Sequence, residues 1–274
     1  MTLSRLIMAT ATAALLLTGC GAEVAGKPPA TSAPDDLMLQ VRTSGGMIPV
    51  DLVATAVPEL SVYGDGRVIT AGPVREIYPG PALPNVQVRH ISADRLRDLV
   101  EDALEAGVGN GEDLGVPQVM DAGSTRITVR TAAGLVASDA PALGIEDGTL
   151  TQSQQRARGR LADFVQKLRD LDLGEPAAYE PRTMAAVAHP WADRQDGLPS
   201  PPPAVAWPGA TPLPGDPMQH LSGVNCLTTE AAPVLAAAAN ANARTPWTSG
   251  DARWEVGFRP LLPDEETCDD LVLR

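Results

Sequence analysis

Apolar and polar positions alternate from Leu37 onward. Leu37, Leu39 and Val41 open the pattern, and a period of two marks a strand with one buried face. Leu60-Ser61-Val62-Tyr63 and Arg67-Val68-Ile69-Thr70 flank Gly64-Asp65-Gly66, residues that tolerate the positive φ of a tight turn, so the stretch predicts a hairpin. Val86 to Ile91 predicts a further strand. The period then changes: Leu96, Leu99, Val100, Ala103 and Leu104 recur at helical spacing behind Ser92 as N-cap, up to Gly107. The same order returns in Thr125–Thr131, the turn Ala132-Ala133-Gly134, and Leu135–Ser138. A helix follows, opened by the capping box Thr151 and Gln154, with Ala157, Leu161, Phe164, Val165, Leu168 and Leu171 on one face and a stop at Gly174.

Two hairpin-then-helix runs about 65 residues apart predict an α+β fold, an antiparallel sheet with helices on one face. The repeat is either a duplicated ββα unit or the coincidence of a common arrangement. Residues 182–188 add one more strand. Pro199–Pro217 carries eight prolines in nineteen positions, which excludes helix and central strand and reads as a semi-rigid linker or surface-hugging arm. Beyond it, Thr229 to about Ala243 predicts an alanine-rich helix and Arg253–Arg259 a strand. Together they read as a small αβ appendage with a weak apolar face, stapled by a disulfide.

The first residues change the picture of where this fold works. Arg5 is the only charge before Glu23, the run from Leu6 to Leu17 is apolar or small, and the order matches a secretory signal. Leu17-Thr18-Gly19-Cys20 resembles the lipobox of bacterial lipoproteins, which implies lipid on Cys20 and an extracytoplasmic, membrane-anchored mature chain. Cys226 and Cys268 are then an even pair in an oxidising compartment and are expected to form a disulfide. The expected organisation is a signal peptide over 1–20, a flexible tether over 21–36, an α+β domain over 37–190, a proline-rich linker or arm over 191–219, and the appendage over 220–274.

The hairpin SVYGDGRVIT, the helix HISADRLRDLVEDALEAG, the strand pair within LGVPQVMDAGSTRITVRTAAG and the closing TPW…FRPLLPDE…C resemble uncharacterised actinobacterial secreted lipoproteins. Residues 60–171 are similar to a wider bacterial domain of unknown function. The resemblance implies the fold and the compartment. It supplies no catalytic residue, because the shared positions are turn, cap and core residues.

Charge narrows the partners. A formal charge of -13 and 3% aromatic residues disfavour phosphate backbones and the stacking surfaces of single-stranded nucleic acid, so no nucleic-acid partner is expected. Membrane contact is expected through the lipid alone.

Signatures of serine hydrolases and penicillin-binding enzymes are missing, and His90, His189 and His220 have no metal-ligand spacing. No cofactor or metal is expected. Gly107-Val108-Gly109-Asn110-Gly111 follows a helix rather than a strand and reads as a helix stop, not a dinucleotide loop. Asp264, Glu265, Glu266, Asp269 and Asp270 offer oxygen ligands for calcium, but without EF-hand spacing a solvated acidic tail is the better reading. Tyr63 and Trp254 read as core anchors, and Trp191 and Trp207, beside the proline arm, as contact residues for a partner or for the arm itself.

The function expected from these observations is a non-enzymatic module that binds an envelope protein or a small ligand. An accessory or carrier role in envelope transport is the alternative, and would need an apolar pocket between sheet and helices. An enzyme built from dispersed residues, such as Asp121, His90 and Arg126, is the third reading.

Overall fold

The computed structural model describes residues 26–192, 202–219 and 221–271, with the backbone alone at 50 and 51. The expected export signal and Cys20 lie outside the described residues, as does His220. Among the described residues no helix is long and apolar enough to cross a membrane.

Seven strands make the first sheet: β1 (Leu37–Ser44), β2 (Leu60–Tyr63), β3 (Arg67–Ala71), β4 (Val86–His90), β5 (Ser124–Thr131), β6 (Gly134–Pro141) and β7 (Ala177–Ala178). Their order is β6-β5-β1-β2-β3-β4-β7, antiparallel throughout. The expected hairpin turn forms between β2 and β3, where the Gly66 amide donates to the Tyr63 carbonyl over 2.9 Å. Gly66 has φ of 85°, and a Cβ there would sit 2.3 Å from the Ile91 carbonyl oxygen, so both backbone and space demand glycine.

Helices α2 (Ala93–Glu105) and α3 (Gln152–Arg169) cover one face of this sheet. Ser92 accepts from the Arg95 amide over 3.2 Å, and the Thr151/Gln154 capping box is complete. At the other end of α2 the Val108 amide reaches the Ala103 carbonyl and the Gly107 amide the Leu104 carbonyl, both over 3.0 Å. That is a Schellman stop with Gly107 at φ of 99°, so the glycine run ends the helix as expected. Leu96, Leu99 and Val100 of α2 and Leu161, Phe164 and Leu168 of α3 pack on Leu39, Val41, Val62, Val68, Ile127 and Val129 in one core. The strand pairs that lead into the two helices, β3–β4 and β5–β6, flank β1 and β2 symmetrically in the strand order.

The opposite face of the sheet is buried as well: Leu37, Tyr63, Ile69 and Val86 pack with Leu262, just past the last strand of a second sheet. That sheet comprises β8 (Thr183–Pro190), β9 (Val205–Ala206), β10 (Asp216–Pro217), β11 (Asn225–Glu230), β12 (Trp247–Ser249) and β13 (Ala252–Pro260), in the order β10-β11-β8-β13-β12-β9. Ala185 and Val187 of β8 point to one side, where they pack with Ala54 of the short helix α1 (Val50–Thr55), Leu261 and Leu271. Met184, Ala186 and Ala188 point to the other, against Trp247, Phe258 and helix α4 (Ala231–Ala238).

Three expectations need correction. The boundary at 190 cuts through the second sheet: β8 lies between β11 and β13, its Met184–Ala188 buried on both faces, so the strands within residues 225–260 complete a sheet begun by β8 instead of forming a separate appendage. The alanine-rich helix begins at Ala231 and not Thr229, because Asn225–Glu230 is taken by pairing with β8. The third concerns the tether. Residues 26–36 lie on the turns of the first sheet: Lys27 O accepts from Ala132 N over 2.9 Å, Asp36 O accepts from Gly64 N over 2.9 Å, and Asp35 and Asp36 pair with Arg67 and Arg130. Hydrogen-bond partners in the turns, invisible to a count of apolar bulk, hold this half of the expected tether down.

The proline-rich segment behaves as an arm. β9 pairs in parallel with β12 and β10 pairs with β11. Trp207 stacks on Phe258 at 6.4 Å and meets Trp247 edge-on at 6.2 Å, so it anchors the arm to the sheet.

Candidate functional site

The connection between β3 and β4, residues 72–85, holds prolines at 73, 79, 81 and 84, which bar it from either regular structure. Its base is closed by Gly72 N donating to Asn85 O over 2.7 Å and Asn85 Nδ2 donating to Pro73 O over 2.8 Å. Its far side is pinned to the loop after α4: Ala82 N donates to Ala241 O over 3.2 Å and Ala243 N to Gly80 O over 2.9 Å. That second loop is fixed in turn by Asn242, whose amide donates to Thr245 Oγ1 and whose Oδ1 accepts from Arg244 N, both over 2.9 Å.

Between these two loops, α1 and β13 lies a cleft of about 780 Å³. Val74, Ile77 and Leu52 stand on its walls, 65, 58 and 53% exposed, a high value for large apolar residues that share one concavity. Its floor is Glu255–Phe258 of β13 with His189 of β8, which sits opposite Glu255 in the antiparallel register. Gly257 lets α1 approach: a Cβ there would lie 2.8 Å from Thr55 Cγ2. His189 Nε2 is buried and has no hydrogen-bond partner among the described residues, a polar atom set in a mostly hydrocarbon wall. Arg75 and Glu255 are the charged residues of the lining, beside the amides of Asn85, Asn240 and Asn242. The cleft is therefore nearly neutral in a chain of formal charge -13.

A second hollow of about 650 Å³ lies beside α3 and residues 144–150, with Arg158 at its base. Arg158 donates to the carbonyls of Pro141 at 2.7 Å, Ala142 at 2.8 Å and Leu114 at 3.4 Å, so its guanidinium is spent on closing that loop. Burial lowers its pKa. The sequence carried a signal for it that the helical reading passed over: Arg158 stands three residues before Leu161 and seven before Val165, on the apolar stripe.

The other candidates disperse. His90 ends β4 and Arg126 lies in β5, four places away in the strand order, which at ~4.8 Å per strand is roughly 19 Å. Arg126 pairs with Asp139 at 2.5 Å, and Asp121 lies in the loop before β5. The structure does not bring these three together. Cys226 and Cys268 are joined, with sulfurs 2.02 Å apart.

The acidic stretch at 264–270 is solvated only in part: Glu266 and Asp269 are exposed, whereas the other three carboxylates have protein partners. Glu265 is buried, and its Oε1 accepts from Arg259 Nη2 at 2.8 Å and lies 3.9 Å from Arg42 Nη2. Burial holds its carboxyl above the ordinary carboxylate value, with Arg259 opposing. Asp264 accepts from the Tyr63 hydroxyl at 2.7 Å, and Asp270 from the Glu266 and Thr267 amides at 3.0 Å. These carboxylates serve protein donors, and no cluster fit for a metal occurs among the described residues. What the sequence lacked was any sign that Arg42 and Arg259, more than two hundred residues apart, share one carboxylate.

Comparison with protein-family models, curated proteins and solved structures returns no match.

Proposed function

We propose that the chain is a lipoprotein held through Cys20 on the extracytoplasmic face of the membrane, and that it binds a ligand non-enzymatically in the cleft between residues 73–85 and the second sheet. The observation that carries this reading is the exposure of Leu52, Val74 and Ile77 around a concavity of about 780 Å³. Its volume falls within the roughly 300–1,000 Å³ usual for small-molecule sites. Its lining suits a neutral ligand with an apolar body, since apolar walls favour burial of hydrocarbon and the three asparagines offer amide hydrogen bonds at the rim.

The carrier reading called for a pocket between sheet and helices; most of that space holds the core of Leu99, Ile127, Phe164 and their neighbours, and a hollow of about 410 Å³ remains beside the end of α3, lined by Val41, Leu60, Thr70, Arg89 and Leu168. The cleft lies elsewhere, at the junction of the two sheets. Support for the anchor comes from the Leu17-Thr18-Gly19-Cys20 motif behind an apolar leader, and from the disulfide, which suits an oxidising compartment.

The neutral probe N-phenyl-1-naphthylamine tests the cleft. Saturable fluorescence enhancement is expected with the native chain and a loss of about tenfold in affinity with Val74→Asp/Ile77→Asp, both positions being exposed and tolerant of charge. Enhancement that is absent, or unaltered in the double variant, overturns the reading. Mass spectrometry of the mature N-terminus tests the anchor separately.

A further inference from the structure

We propose that the docked segment 27–36 turns the cleft away from the bilayer, so that its ligand arrives from the aqueous extracytoplasmic side and is not drawn from membrane lipid. The inference rests on the anchored reading of Cys20 and adds an orientation to it.

The first sheet defines two ends. At one end lie the turns 64–66 and 132–133, with Lys27 against Ala132 and Asp35 against Arg67. At the other end β3 leaves into residues 72–85, the loop that walls the cleft. The outer rim of the cleft therefore belongs to this second end. The eight residues of β5 separate the two ends of the sheet by about 25 Å.

Reach then decides the orientation. Seven residues lead from Cys20 to Lys27, and fully extended they span at most about 25 Å. For the cleft to face the bilayer, those residues would have to run back along the whole body and leave nothing over. A free tether from Cys20 to Asp36 would span about 55 Å and permit any orientation. The contacts of residues 27–36 remove that freedom. Three are backbone hydrogen bonds, from the amides of Gly64, Asp65 and Ala132, which salt does not screen as it does the exposed Asp35–Arg67 pair. The net negative charge further opposes lying flat on anionic lipid.

The test uses the chain from Cys20 onward. With Cys226 and Cys268 bridged, Cys20 is the free thiol, and it is coupled to a maleimide lipid in phosphatidylcholine vesicles that carry a dilute headgroup acceptor dye. A donor dye is placed through azidophenylalanine at Ala133 in the turn or at Ile77 on the cleft rim. Transfer from position 133 is expected to exceed that from position 77 by roughly twofold, given a ~25 Å difference in height. Inserting about fifteen Gly/Ser residues before Gly26, roughly 50 Å of added reach, should narrow the difference. Equal or greater transfer from position 77 in the native-length chain overturns the proposal, as does a difference that the insertion leaves unchanged. Because the lipid is installed chemically, these outcomes are independent of natural acylation at Cys20, which is read from the mature N-terminus.

Discussion

Arg259 donates to Glu265 across 2.8 Å with side chains 0 and 3% exposed, and this pair closes the space between the two sheets. Arg259 Nε also reaches the Ala56 carbonyl at 3.1 Å, and Glu265 Oε2 receives the Leu262 amide at 2.8 Å. One ion pair thus ties β13, the end of α1 and the C-terminal segment together. Arg42 Nη1, donating to the Leu271 carbonyl at 2.6 Å, adds the first sheet.

Removing one partner leaves a buried charge alone. Glu265→Ala is expected to cost about 3–5 kcal/mol, read from urea unfolding, whereas Arg259→Met/Glu265→Leu should cost clearly less than the sum of the single changes. Additive costs would show that the two groups do not act as a pair.

Alkaline stability should follow the buried phenols. The Tyr179 hydroxyl donates to the Leu261 carbonyl at 2.8 Å, and burial pushes its pKa up to about 12. Tyr63 moves in the same direction, through burial and then the Asp264 carboxylate. A raised folded-state value means that the neutral phenol is favoured by folding. Its contribution is whole below the unfolded value of about 10 and is lost as pH rises through about 12. Urea midpoints should therefore fall between pH 10 and 12, and Tyr179→Phe should fall less steeply; identical slopes would refute the assignment.

Gly257 is a steric prediction. An added methyl meets Thr55 Cγ2 at 2.8 Å, so Gly257→Ala should destabilise by about 1–3 kcal/mol. Thr55→Ser deletes the opposing methyl, and in that background the penalty should shrink. The thermal midpoints of the four proteins in the cycle decide it.

The disulfide spans 42 residues and joins β11 to the 3-10 turn Cys268–Leu271, a constraint worth about 4 kcal/mol on the chain-entropy model. Because β11 and β13 are both held by β8, reduction should loosen residues 261–271 and spare the strands. Hydrogen exchange that rises equally across 225–271 would contradict this.

Local order was decided by the sequence, because its causes are local. Ser92, the Thr151/Gln154 box, Gly107 and the Gly64-Asp65-Gly66 turn act within a few residues, and the alternation in β5 places Ile127 and Val129 on the buried helix-covered face, whereas β2 and β3 are buried on both faces by partners that alternation does not show. The cysteine pair was likewise legible from number and compartment alone. Tertiary structure decided everything that depends on distant partners. β8 reads as a last strand of the first domain until β11 and β13, from beyond the proline arm, pair with both its edges. Glu265 reads as part of an acidic tail until Arg259 and Arg42 surround it, since charge pairing is set by distance in space and not along the chain. The cleft was hidden for the same reason: Leu52, Ile77, His189 and Asn242 share no period or motif, and only the packing of four separate segments makes them one surface.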